Sequence, residues 1–253
     1  MSAEAIIKVE NLRKTYNGLI AVAGISFAVK KGEIFGILGP NGAGKTTTLE
    51  MIETLRRPDE GKIWIKGIDV QREPQKIKTL IGVQLQSTSF FDYLNLKELL
   101  TLFASFYPQA LAVEETLALV GLEDKAQAMV RQLSGGQKQR FSLAAALIHD
   151  PEIIFLDEPT AGLDPQARRH LWEIIRQLHQ RGKTIVLTTH YMDEAELLCQ
   201  RVAIMDEGQI LRLAPPRKLI EDLLAQGFKK SAQQLQANLE DVFLDLTGKY
   251  LRD

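Results

Sequence analysis

Gly39-Pro40-Asn41-Gly42-Ala43-Gly44-Lys45-Thr46 constrain the fold of this chain more than any other stretch. They have the spacing G-x-x-x-x-G-K-[ST] of a phosphate-binding loop. Glu33-Ile34-Phe35-Gly36-Ile37-Leu38 precede them as a short apolar run of strand type, and Thr47-Thr48-Leu49-Glu50-Met51-Ile52 follow as a helix start. Strand, glycine loop, helix is the context the motif requires. The glycines let successive backbone N–H groups curl around a phosphate with no Cβ in the way. The helix N-terminus adds its partial positive charge. Lys45 can reach the outer phosphates and the Thr46 hydroxyl can ligate Mg²⁺. The expectation is a nucleoside triphosphate site.

Upstream, Ile6-Ile7-Lys8-Val9 read as a strand, Tyr16-Asn17-Gly18 as a turn, and Ile25, Phe27 and Val29 alternate with Ser26 and Ala28 as in a half-buried strand. Tyr16 can stack on a base or simply cover a sheet edge. Downstream, Pro58-Asp59-Glu60-Gly61 form a turn, and Lys62-Ile63-Trp64-Ile65 and Ile81-Gly82-Val83-Gln84-Leu85 form strands. From about Ser87 the character changes. Leu94, Leu96, Leu99, Leu100, Leu102, Phe103 and Phe106 recur at helical spacing, and residues 113–120 and 125–130 continue as helices. These predict an all-helical insert between sheet strands, with Phe90, Phe91 and Tyr93 at its entrance as core or as a docking surface.

Leu133-Ser134-Gly135-Gly136-Gln137 contain a capping box, Ser134 to Gln137, opening a helix through Phe141, Leu143, Ala144 and Leu147. Two glycines and a serine at a helix N-terminus also make a second anion site. Next, Ile153-Ile154-Phe155-Leu156 lead into Asp157 and Glu158, a buried parallel strand with two carboxylates at its C-terminal end, where open α/β sheets keep their ligands. There Asp157 would hold the hydration shell of Mg²⁺, and Glu158 would polarise a water for attack on a γ-phosphate. In Gly162-Leu163-Asp164-Pro165, Asp164 is an N-cap followed by proline at the first helical position. Residues 183–189 form another buried strand ending at His190, a candidate γ-phosphate contact. His149, His170 and His179 receive no role.

A net charge of −1 over 253 residues gives no basic field, so nucleic acid is not indicated as a partner. The single cysteine, Cys199, cannot form an internal disulfide and is expected in an apolar helix face. The longest charge-free stretch, residues 99–113, is broken by Pro108 and falls short of the roughly 20 residues of a membrane span. The expectation is a soluble chain; any spans would come from another polypeptide.

Taken in order, these motifs resemble those of the ATP-binding cassette ATPases, the nucleotide-hydrolysing subunits of transporters. Phosphate loops are shared with many NTPases, but residues 133–137 just upstream of the acid-ended strand are specific. The resemblance implies an α/β phosphate-loop NTPase with a mostly parallel sheet core, an N-terminal antiparallel β subdomain and an inserted all-helical subdomain. It also implies a domain over residues 1–228, the insert at about 87–150, and a C-terminal helical tail over 229–253. The cofactors would be ATP and Mg²⁺. Tyr16, Gly39, Pro40, Asn41, Gly42, Ala43, Gly44, Lys45, Thr46, Thr47, Asp157 and Asp164 would bind nucleotide. Gln86, preferred over Gln84 because it ends its strand, would help coordinate Mg²⁺ with Thr46 and, through water, Asp157. Glu158 would be the general base, with His190 and Gln86 completing the catalytic set. Ser134, Gly135, Gly136 and Gln137 would close the site from a second ATPase subunit, a homodimer. The insert would receive an integral-membrane permease at the cytoplasmic face of the membrane. In the tail, Leu235, Leu239, Val242, Phe243 and Leu246 share a helical face, and residues 239–248 resemble the end of drug-resistance and antibiotic exporter ATPases. A cassette ATPase of repair or translation is the alternative, although such proteins commonly carry two cassettes or a long coiled insert. A phosphate-loop kinase or GTPase would leave residues 133–137 unexplained.

Overall fold

The computed structural model describes residues 5–86, 89–91, 93–228 and 239–247. The chain opens with β1 (Ala5–Tyr16) and β2 (Leu19–Lys30), a hairpin whose turn residues Asn17 and Gly18 have φ of 48° and 85°. Both values lie in the left-handed region that tight hairpins require. The first strand is therefore longer than the four residues expected, and Tyr16 is its last residue. With β4 (Glu60–Ile65) and β5 (Ile68–Asp69) the hairpin forms an antiparallel four-stranded sheet in the order β2-β1-β4-β5.

The central sheet contains β3 (Ile34–Leu38), β6 (Ile81–Gln84), β7 (Ile153–Asp157), β8 (Thr184–Thr189), β9 (Arg201–Asp206) and β10 (Gln209–Ala214), in the order β10-β9-β3-β8-β7-β6. Its pairings are parallel except β10 with β9. Every residue of β3, β7 and β8 is buried, which explains why they read as unbroken apolar runs rather than as alternation. Alternation survives in the choice of core. Ile153 and Phe155 face the layer formed with the antiparallel sheet and α1 (Lys45–Ile52), whereas Ile154 and Leu156 face the helices on the opposite side.

Helix α2 (Pro74–Leu80) leads into β6, and between β6 and β7 lie α3 (Leu96–Ala104), α4 (Val113–Leu119) and α5 (Gly135–Leu147). The helix expected over residues 125–130 does not form. Short 3₁₀ turns at Glu123–Lys125 and Val130–Gln132 replace it. The carbonyls of Ala126 and Ala128 instead accept from Lys97 N (2.9 Å) and Leu96 N (3.0 Å), supplying partners to the start of α3. The strand expected to run to Leu85 stops at Gln84.

Past β7 the chain forms α6 (Pro165–Gln180) and α7 (Met192–Leu198), then α8 (Pro216–Ala225) and α9 (Leu239–Thr247). Cys199 is buried at the C-cap of α7. Leu239, Val242 and Phe243 are buried in the same core as α7 and α8, with Leu246 packed against it; Leu235 lies outside the described residues. Among the described residues no helix is long and apolar enough to cross a membrane.

Candidate active site

β3, β7 and β8 are neighbours in the sheet, so the loops leaving their C-terminal ends converge. The first carries residues 39–44 into α1. Gly44, the N-cap of that helix, has φ of 99°, and a Cβ there would meet Ala21 O at 2.3 Å. A Cβ on Gly39 would meet Met205 O at 2.1 Å. Glycine at these two positions is thus fixed by close backbone approach as well as by the motif. Asn41 and Gly42 are exposed, Ala43 is buried, and Pro40 is half-buried.

Lys45 is only 4% exposed. Its Nζ donates to Gly39 O (2.9 Å) and Pro40 O (3.1 Å) and pairs with Glu158 Oε1 at 3.0 Å. Thr46 Oγ1 donates to Asp157 Oδ1 at 3.2 Å, and the Thr188 hydroxyl donates to the same oxygen. Glu158, immediately after β7, has φ of 47°. That left-handed conformation costs a non-glycine residue of order 1–3 kcal/mol and is found where surroundings enforce it. Here its N–H donates to both Thr188 Oγ1 (2.9 Å) and Thr188 O (3.2 Å). The second carboxylate oxygen accepts from Gln86 Nε2 at 3.4 Å and lies 3.2 Å from His190 Nδ1. Glu158 is therefore gripped by residues that follow three other strands, Lys45 after β3, Gln86 after β6 and His190 after β8.

The electrostatics separate the two acids. Burial raises the Asp157 carboxyl, the Thr188 and Thr46 hydroxyls oppose that, and the neighbouring Glu158 adds to it. Burial also raises Glu158, but Lys45 and His190 together outweigh it and leave its carboxyl below the ordinary value. Glu158 is thus held in its ionised form.

Tyr16, Asn41, Gly42, Gly44, Lys45, Thr46, Thr47, Gln86 and Glu158 line one cavity of about 400 Å³. Tyr16 is half-buried, with the Arg56 guanidinium 5.1 Å and the Lys14 ammonium 5.6 Å from its ring centre. Gln84, and not Gln86, is the last residue of β6; Gln84 is buried and does not line the cavity, so what sets Gln86 apart is its place two residues beyond the strand end, where it reaches the cavity. Ser134, Gly135, Gly136, Gln137 and Asp164 do not line the cavity either. Ser134 caps α5, accepting from Gln137 N at 3.3 Å while Gln137 Oε1 accepts from Ser134 N at 2.9 Å. Asp164 caps α6, accepting from Gln166 N and Ala167 N at 2.9 Å each. The two helix starts touch, since a Cβ on Gly136 would lie 2.8 Å from Ala167 Cβ. The start of α5 and the Asp164 loop thus form one patch, with Ser134, Gly135 and Asp164 exposed.

Sequence reasoning missed Thr188, which orients both acids, because nothing distinguishes it from other β-branched strand residues. It also missed Arg168 and Tyr191, stacked with the guanidinium 4.2 Å from the ring centre, and Tyr191 in turn lies 4.1 Å from the His190 ring.

The family model described as ABC transporter matches residues 22–161. The chain belongs to the ABC transporter family. The Nod factor export ATP-binding protein I of Paraburkholderia xenovorans is 43% identical, with 99% of each chain covered. The linearmycin resistance ATP-binding protein LnrL of Bacillus subtilis is 40% identical over 86% of this chain and 73% of its own. Among solved structures, an ATP-binding subunit of an ABC transporter superposes with a TM-score of 0.82 at 27% identity, covering 96% of this chain and 99% of that one. The dimeric post-hydrolysis cassette MJ0796, bound to ADP and phosphate, gives a TM-score of 0.76 at 31% identity, covering 83% and 98%. This cassette is an ATP-binding ATPase with the α/β phosphate-loop fold anticipated from its motifs.

Proposed function

We propose that this ATPase works as a dimer that closes on two ATP molecules and drives export through a separate membrane permease, at the cytoplasmic face of the membrane. The observation that carries the reading is the grip on Glu158. An ionised carboxylate at the end of the acid-bearing strand, beside Lys45, Gln86 and His190, supports its acting on water, since it can accept a proton and would become more basic once Lys45 moves away. Arrival of the outer phosphates would draw Lys45 from Glu158 onto phosphate oxygens, freeing that carboxylate oxygen for water. His190 would then face the γ-phosphate, and the backbone N–H groups of residues 39–46 together with Thr47 would bind the phosphate chain. Tyr16, at the rim of the cavity, would stack on adenine.

Mg²⁺ suits the donors present: the Thr46 hydroxyl and Asp157 carboxylate are hard oxygens already 3.2 Å apart, and Gln86 adds an amide at the same cavity. When bound, the ion would neutralise charge on the transferred phosphoryl group. Residues 134–137 and Asp164 line a patch outside the cavity, which supports their acting on the partner subunit's nucleotide. Export is supported by the relatives' names and by the tail at 239–248; it disfavours a repair or translation role. We assign the ATPase domain to residues 1–228, the permease-facing insert to about 87–150 and the tail to 229–253. Exposed Phe91, Tyr93 and Phe106 support the insert as the permease surface.

The deciding experiment is Glu158→Gln. Turnover should fall roughly 10²- to 10⁴-fold while ATP binding persists. Substantial remaining hydrolysis would overturn the assignment of the base.

A further inference from the structure

A third carboxylate lies behind the two acids of the site. Glu194, on α7, is fully buried, as are Thr160 and Thr189. Its Oε1 accepts from Thr160 Oγ1 at 2.9 Å and from Trp172 Nε1 at 2.8 Å. Burial raises its carboxyl, against opposing interactions with the Thr189, Trp172 and Thr160 side chains, and Oε2 makes no bond of normal geometry. Those partners have meaningful positions. Thr160 is two residues beyond Glu158, in the loop that ends at Asp164. Thr189 immediately precedes His190. Trp172 belongs to α6, the helix that Asp164 caps, one turn on from the Arg168 that stacks on Tyr191.

We propose that Glu194 is a positioning residue for hydrolysis: its carboxyl pins the Glu158–Asp164 loop, α6 and the His190 strand end to one point, so that these segments move as a unit. The proposal rests on the reading of Glu158 and His190 given above. Burial is expensive for this group; it raises the carboxyl pKa, and one oxygen is left without a proper partner. An apolar side chain of similar volume would seat α7 on the core at lower cost. What an apolar side chain cannot do is accept two hydrogen bonds from segments 12 residues apart in sequence and aim them at a third. Because the Glu158–Asp164 loop starts inside the cavity and ends on the exposed patch with Ser134, the same pin would link that patch to His190 within one subunit.

The test separates positioning from folding. Glu194→Leu should lower kcat about 10- to 100-fold, the scale of a small misplacement of reacting groups, with KM for ATP changed less than about twofold. Glu194→Gln, which retains an oxygen acceptor for both donors, should recover kcat to within about threefold of the parent. Thr160→Val, which removes a single hydroxyl without changing volume, should lower kcat about 3- to 10-fold at constant KM, and it remains informative if Glu194→Leu fails to fold. Unchanged kcat in Thr160→Val, or a kcat in Glu194→Gln as low as in Glu194→Leu, would overturn the proposal. His190→Ala is measured alongside. If it keeps parental turnover, the reading of the site fails and this proposal with it; if it loses turnover while Thr160→Val does not, only the pin is refuted.

Discussion

Glu53 shows how one residue couples this site to the stability of the fold. It is the C-cap of α1, 2% exposed, and burial, then the nearby Asp157, then Glu50 push its carboxyl up to about 8. The unfolded chain ionises near 4.5, so between that pH and about 8 only the folded chain keeps the proton. Stability therefore declines as pH rises through that window, by up to about 1.4 kcal/mol per pH unit. Glu53→Gln should remove the share of that decline that Glu53 contributes. In denaturant unfolding, the variant's advantage over the parent should grow from pH 5.5 to pH 8, whereas a pH-independent difference would refute a protonated Glu53. Glu158 sits on the other side of the same balance, because Lys45 and His190 outweigh its burial. Glu53 has no such cation facing it among the causes of its shift. Two buried acids near one loop thus differ in protonation because only one has a cation within reach.

At the scale of elements, the cap of α6 carries a separable share of stability. Asp164 accepts from two backbone N–H groups at 2.9 Å, so Asp164→Ala should cost about 0.5–2 kcal/mol in denaturant unfolding, and Asp164→Asn should restore most of it. No loss in the alanine variant would mean that the helix start is held by packing alone. Caps and glycine loops of this kind were legible in the sequence because their chemistry is local. The capping box from Ser134 to Gln137, the proline after Asp164 and the loop before Lys45 each need only neighbours a few residues away. The buried strands were legible because parallel strands covered on both faces leave continuous apolar runs. Residues 125–130 misled for the complementary reason. Their side-chain spacing suits a helix, but the Ala126 and Ala128 carbonyls are taken by the N-terminus of α3, a partner about thirty residues away that no window of sequence contains. Thr188 and Glu194 were invisible on the same ground, since their meaning lies in contacts across 31 and 34 residues with Asp157 and Thr160.

At the scale of the whole molecule, the cavity around Lys45 and the patch at Ser134, Gly135 and Asp164 belong to one chain but to separate surfaces, and a dimer would bring the second onto the first of a partner. Ser134→Arg tests this, although the substitution does two things at once. It removes the cap that accepts from Gln137 N, worth about 1 kcal/mol, and it places a long cation where a phosphate would approach. Ser134→Ala removes the cap without adding bulk. In a Glu158→Gln background, which should stall hydrolysis and let the ATP-bound dimer accumulate, light scattering should show dimers for Ser134→Ala and monomers for Ser134→Arg. Equilibrium binding of ATP to the monomer should be the same for both. If Ser134→Arg instead loses ATP binding to the monomer, the patch contacts its own chain's nucleotide, and the geometry of two half-sites shared between subunits is wrong. If Ser134→Arg still dimerises on ATP, the dimer forms through some other face, and closure would then be independent of the nucleotide it is supposed to sense.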